Sequence, residues 1–160
     1  MKYLQAKSIS DLLALHTSTM EELRRRGVLR SANNPTGDLA EYLFCAAFGW
    51  VQENNSARAF DATGDDGTRY QIKGRRIHHR NRSRQLSAIR NLEGFDILAA
   101  VLFDDLYRIK RAVLIPAAVV RENSTYIKHT NSHKFLLRDA VCDARDVEDV
   151  TVRLRQVEGV

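Results

Sequence analysis

Three stretches of this chain carry side chains that can do acid, base or metal chemistry together: "GDLAEYLF" (37–44), "AFDAT" (59–63) and "YQIKG" (70–74). The first holds Glu41, the only polar side chain in "LAEYLFCAAFGW" apart from the phenol of Tyr42. A helix apolar all round is normally buried, and an ionised carboxylate there is costly unless a cation, a donor or a proton meets it. In the third stretch, strand alternation sends Arg69, Gln71, Lys73 and Arg75 to one face and Tyr70 and Ile72 to the other. Whether Asp61 joins them depends on the hairpin loop. A three-residue loop over Asp65, Asp66 and Gly67, with Gly67 left-handed, pairs Gly64 with Thr68, Ala62 with Tyr70 and Asp61 with Gln71. A two-residue loop at Asp66 and Gly67 sets Asp61 opposite Ile72 instead, on the apolar face with nothing to neutralise it. Burial cost favours the first register, which makes one cluster of Asp61, Gln71 and Lys73, with Glu41 as a second carboxylate. Two carboxylates with an amide or backbone oxygen form a half-cage of hard oxygens suited to Mg²⁺ or Mn²⁺. Beside bound phosphate, such an ion polarises a phosphodiester and lowers the pKa of a bound water. Lys73 would then position or deprotonate that water, or steady the charge of the transition state.

The charge distribution supplies the phosphate partner. Between Arg69 and Leu92 there are eight basic residues and no acidic one, within a chain of net charge +5. The remaining 17 basic and 20 acidic residues leave the rest of the chain at −3. The protein is therefore not basic throughout; it carries a concentrated patch, the form expected of a site for a polyanion. The plainer alternative is a solvated charge run, although such runs usually mix signs. Arg69, Arg75, Arg76, Arg80, Arg82 and Arg84 are the candidate nucleic-acid contacts, because phosphates demand charge more than fixed geometry. His78 and His79 read as surface residues at a strand end that can also touch phosphate, and Trp50 and Tyr42 as core or rim aromatics.

The positioning elements follow from periodicity. "SISD" (8–11) is a capping box ahead of a helix bearing Ile9, Leu12, Leu13, His16, Met20 and Leu23, which Gly27 stops. A second helix is expected over 38–48, two short strands around the turn at 64–67, and a helix over 83–93 with Leu86, Ile89 and Leu92 inward. The continuous apolar run 95–103 suits a strand buried on both faces, with 107–116 as its hairpin partner. A short helix near 117–122, a strand near 133–138 and a closing helix carrying Val147, Val150, Leu154 and Val157 complete the chain. The sum is an α/β (α+β) domain, a mixed sheet flanked by helices. At 160 residues, 44% of them hydrophobic, the chain suits one domain. The two cysteines, Cys45 and Cys142, lack metal or disulfide spacing and read as buried free thiols. Nothing resembles a signal peptide and no apolar run is long enough to cross a bilayer, so a cytoplasmic location without membrane contact is expected.

Taken together, Glu41 on a helix, Asp61 on a strand and Gln71-Ile72-Lys73 on the next resemble the PD-(D/E)xK nuclease superfamily. The Gln is similar to the QxK variant of Mrr-like enzymes. "NPTGDLAEYLF", "DGTRYQIKGRR" and "RQLSAIRNLE" further resemble an uncharacterised bacterial family with this core, over roughly 33–140. The resemblance implies a restriction-endonuclease-like core at 33–140, preceded by a helical extension (1–32) and followed by a C-terminal helix (141–160). It implies a Mg²⁺-dependent (or Mn²⁺-dependent) DNA endonuclease in restriction, repair or recombination. Asp61 and the Ile72 carbonyl would bind metal directly, Glu41 directly or through water, with Gln71 in the place of the usual acid. Lys73 would be the catalytic base or stabiliser. A homodimer is expected from the resemblance alone. Gln71 is the departure: one negative charge fewer weakens a metal site and keeps open an inactive, nuclease-fold module that only binds nucleic acid. A third reading is an adaptor whose arginines meet an acidic protein.

Overall fold

Capping residues and apolar spacing set the helices at the start of the chain, whose structure, a computed structural model, describes residues 2–54 and 59–157. A short α1 (Lys2–Gln5) precedes α2 (Ile9–Arg25). The Ser8 hydroxyl accepts from the Asp11 N–H at 3.1 Å and the Asp11 carboxylate accepts from the Ser8 N–H at 3.3 Å, the reciprocal cap read from the sequence. Yet α2 buries none of its residues: Ile9 is 80% and Leu13 63% exposed. The next helix, α3 (Pro35–Phe48), begins three residues earlier than expected. Pro35 takes the first helical position, where its missing N–H costs nothing, and the Asn34 side chain caps the N–H of Thr36.

The remaining elements are β1 (Val51–Gln52), β2 (Ala62–Thr63), β3 (Arg69–Arg76), β4 (Ile97–Phe103), β5 (Ile109–Pro116), α4 (Ala117–Asn123), β6 (Ser124–Ile127), β7 (Ser132–Phe135), α5 (Asp139–Cys142), β8 (Glu148–Asp149) and α6 (Thr151–Arg155). Six strands form one sheet in the order β1-β2-β3-β4-β5-β8, and β6 pairs with β7 in a separate hairpin. Among the described residues only β3 and β4 run parallel; every other pair in the sheet is antiparallel. The molecule is thus a mixed sheet flanked by helices. Among the described residues no helix is long and apolar enough to cross a membrane.

Alternation along the central strands splits the core. Ile72, Ala99, Val101 and Phe103 face α3 through Ala40, Leu43 and Phe44. Leu98, Ala100 and Leu102 face the other side, against Leu86, Ile89, Phe95, Val120 and Phe135. Trp50 is held on the α3 side by stacking on Tyr70 at 3.6 Å and on Phe48 at 4.8 Å between ring centroids, so it is a rim aromatic with both faces covered.

Two expected elements differ. The segment 83–93 is not a helix but an extended crossover that joins the parallel pair β3 and β4. Leu86 and Ile89 are buried as expected, but their N–H groups donate to the carbonyls of Phe135 and His133, so the segment lies against β7. The side chains of Asn81, Ser83 and Asn91 accept from backbone N–H groups two residues on, and such local turns compete with helix formation. The closing helix is also shorter than expected. Val150 precedes α6, and Glu148 and Asp149 add the edge strand β8 to β5 instead.

Gly74 sets how closely α3 approaches β3. A Cβ built there falls 2.8 Å from the Thr36 carbonyl oxygen and 3.0 Å from the Ala40 methyl. We expect Gly74→Ala to push α3 away and destabilise the fold by about 1–3 kcal/mol, the usual cost of overpacking, read as a lower urea midpoint with unchanged slope. A midpoint equal to that of the parent chain would contradict the close contact.

Candidate functional site

The turn at the start of β3 decides where Asp61 lies. Gly67 adopts φ +82, its N–H donates to the Gly64 carbonyl at 3.0 Å, and the Gly64 N–H donates to the Thr68 carbonyl at 2.9 Å. Ala62 pairs with Tyr70. This is the three-residue loop, and it brings Asp61 beside Gln71. The Asp61 backbone is clamped on both sides: its N–H donates to the Tyr70 carbonyl and its carbonyl accepts from the Glu53 N–H, both at 2.8 Å.

After Tyr70, β2 no longer pairs with β3, and the Asp61 side chain takes over the vacated edge. Its Oδ2 accepts from the Ile72 N–H at 2.7 Å and from the Gln71 side-chain amide. N–H and C=O of one strand residue point the same way, so the Ile72 carbonyl opens onto this edge too. Among the described residues no donor engages Asp61 Oδ1. The Gln71 amide nitrogen is turned to Asp61, and among the described residues no donor engages its carbonyl oxygen.

Glu41 reaches the same place from α3. Its side chain is 25% exposed and lines a cavity of about 270 Å³ with Asp61, Arg30 and Glu53. The Gln52 side chain donates to its Oε2 at 2.5 Å, and Arg30 stands 3.8 Å away. Burial, then the neighbouring charge of Asp61, push the Glu41 carboxyl above its ordinary value, against the lowering effect of Gln52. Cys45, one turn along α3, is pushed up to about 11 by burial and then by Glu41, and both cysteines are free thiols. Gln52 and Arg30 were not singled out from the sequence. The only signal was the pattern "VQE", which puts Gln52 opposite Ala62 and beside Asp61 once β1 is paired.

Lys73 lies two residues beyond Gln71 on the same side of β3, half-buried. Among the described residues no hydrogen bond or ion pair holds its ammonium. The structure thus brings Glu41, Asp61 and Gln71 into direct contact or a shared cavity, with Lys73 next along the strand. Among the described residues no three His, Cys, Asp or Glu side chains converge at metal-ligand spacing. Any ion here would rely on the carboxylates of Asp61 and Glu41, the Gln71 and Ile72 carbonyls and water. That is a donor set of hard oxygens, and a divalent cation would offset both the burial that chiefly raises Glu41 and the repulsion from Asp61 that adds to it.

The six candidate arginines fall into two groups. Arg69 is bound by the Asp96 carboxylate through its Nε at 3.1 Å and an Nη at 2.8 Å. That hydrogen bonding holds Asp96 at about 2 and ties the start of β3 to the start of β4. Arg84 is paired with Asp139 at 2.5 Å. Arg75 and Arg76 are instead anchored on backbone carbonyls, those of Ser83 and Asp105, and Arg76 also lies over the Tyr107 ring. Arg80 and Arg82 are exposed on the turn after His78. Among the described residues no carboxylate pairs with Arg75, Arg76, Arg80 or Arg82, so their charge is left for an outside partner.

No protein-family model matches the chain, and no curated protein matches it significantly.

Proposed function

We propose that this protein is a metal-dependent DNA endonuclease of the PD-(D/E)xK type, hydrolysing phosphodiester bonds at the open edge of β3. The observation that carries the reading is the convergence of Asp61, Glu41 and Gln71 on that edge, with Lys73 as the following residue on the Gln71 side. Asp61, Glu41, the Ile72 carbonyl and Gln71 would hold Mg²⁺ or Mn²⁺, which when bound supplies Lewis acidity toward the phosphate and a more acidic water. Asp61 is fixed by the clamps on its own backbone and by its bond to the Ile72 N–H, so the carboxylate is positioned before substrate arrives. Lys73 would orient or deprotonate the attacking water, or stabilise charge gathering on the phosphoryl oxygens. Arg75, Arg76, Arg80 and Arg82, whose charge no carboxylate cancels, would hold the strand.

The test is incubation of supercoiled, linear and branched DNA with Mg²⁺, Mn²⁺ or EDTA. Nicking that needs the metal is the expected result. Salt-sensitive binding without cutting under either metal would favour the module that only binds nucleic acid, in which Gln71 is a lost acid.

A further inference from the structure

A second cavity continues the open edge of β3 past the carboxylates. It measures about 260 Å³ and is lined by Gly74, Arg75, Arg76, His78, Asn81 and, across from them, Asn34 at the start of α3. Odd-numbered residues of β3 turn their N–H and C=O groups toward β4: the Arg69 carbonyl accepts from Asp96 N–H and, just beyond the strand, the Ile77 N–H donates to Phe103. The even-numbered ones turn outward, as the bonds of Tyr70 and Ile72 to Asp61 show. The backbone groups of Gly74 and Arg76 therefore open onto this side, where among the described residues no strand pairs with them. Both guanidiniums are pinned by backbone carbonyls rather than by carboxylates, which fixes their position without spending their charge. Among the described residues no acidic side chain lines the cavity.

From these features we infer that this cavity is a subsite for one backbone phosphate, the neighbour of the phosphate held at Asp61. The inference rests on the proposed function and deepens it. Gly74 lies two strand residues from Ile72, about 6.6 Å along the strand, comparable to the step between successive phosphates on one nucleic-acid strand. A pocket of fixed donors with uncancelled positive charge selects a tetrahedral oxyanion over a base or a carbonyl. His78 also lines the adjoining cavity, which His79, Arg82, Arg84 and Lys110 share with Asp104 and Asp105, so the strand would leave the subsite along its basic side chains and away from the two aspartates. The track is directional, from Asp61 toward Ile77.

The experiment measures binding of a fluorescein-labelled 20-nucleotide DNA, single-stranded and duplex, to the full chain in EDTA across a range of salt. Arg75→Gln and His78→Gln are compared with the parent and with Arg121→Gln, a surface arginine paired with Glu93. Arg75→Gln is expected to lose about tenfold in affinity and about one unit of the salt slope. His78→Gln should lose affinity with a smaller change in slope, and Arg121→Gln should lose neither. Inorganic phosphate at millimolar concentration should weaken binding by the parent and have less effect on Arg75→Gln. Parent-like affinity and slope in Arg75→Gln with its melting temperature intact would overturn the subsite, and so would equal competition by phosphate in both chains. Should the parent cut no DNA under any metal while Arg75→Gln still loses binding, the hydrolytic reading falls and the subsite stands. Should the parent cut and Arg75→Gln bind unchanged, the subsite falls alone.

Discussion

Lys73→Ala is expected to slow metal-dependent DNA cleavage by roughly 10³-fold, the range for a group acting in proton transfer or charge stabilisation at the transition state, while leaving DNA affinity within about twofold. The separation of the two effects follows from its surroundings. Lys73 is half-buried, and among the described residues no carboxylate or carbonyl is bonded to its ammonium, so truncation strands no buried partner. Its melting temperature should therefore stay near that of the parent. The check is a plasmid-nicking time course beside thermal melting and DNA binding. Cutting that survives the substitution would place the chemistry elsewhere in the molecule or in a contaminant.

Glu41→Gln should abolish cleavage to a similar degree and yet give a more stable protein. Burial and the charge of Asp61 raise the Glu41 pKa above 4.5, its ordinary value, so ionising Glu41 costs more in the folded chain than in the unfolded one. For a group raised in this way, the stabilisation is complete below the ordinary value and is lost as pH rises through the folded one. At neutral pH the ionised Glu41 is a burden, which an amide of the same shape removes while its carbonyl still accepts from Gln52. In EDTA the variant should melt roughly a few degrees higher than the parent at pH 7, with the gap closing as pH falls toward 4.5. Adding Mn²⁺ should raise the parent and have less effect on the variant, since a ligand stabilises only the state that binds it. A variant less stable than the parent at pH 7 would mean that Glu41 is held by more than Gln52 and Arg30.

Much of the site was legible in the sequence because it depends on local rules. The turn chemistry of Asp65, Asp66 and Gly67 sets the hairpin register, and the register sets the partner of Asp61. Glu41 stood out as one carboxylate in an apolar helix. What was not legible depends on distant partners. Gln52 meets Glu41 only once β1 is added to the sheet. Leu86, Ile89 and Leu92 repeat every three residues, a spacing that suits a helix but is also met by an extended chain with bends. The local turns around Ser83 and Asn91 and the pairing with β7 decided between them. Likewise Arg69 and Arg84 look like their neighbours in the sequence, and only Asp96 and Asp139, far along the chain, set them apart.

The bond from Asp61 to the Ile72 N–H has an evolutionary corollary. That carboxylate does the work of a missing strand, capping a backbone donor at the sheet margin whether or not any reaction takes place. Under the proposed function, a chain without hydrolysis would still need its aspartate as scaffolding, whereas the lysine two residues past the glutamine would be free to drift. On the proposed function, loss of the lysine with the aspartate kept is the change expected in a chain of this fold that no longer cuts DNA.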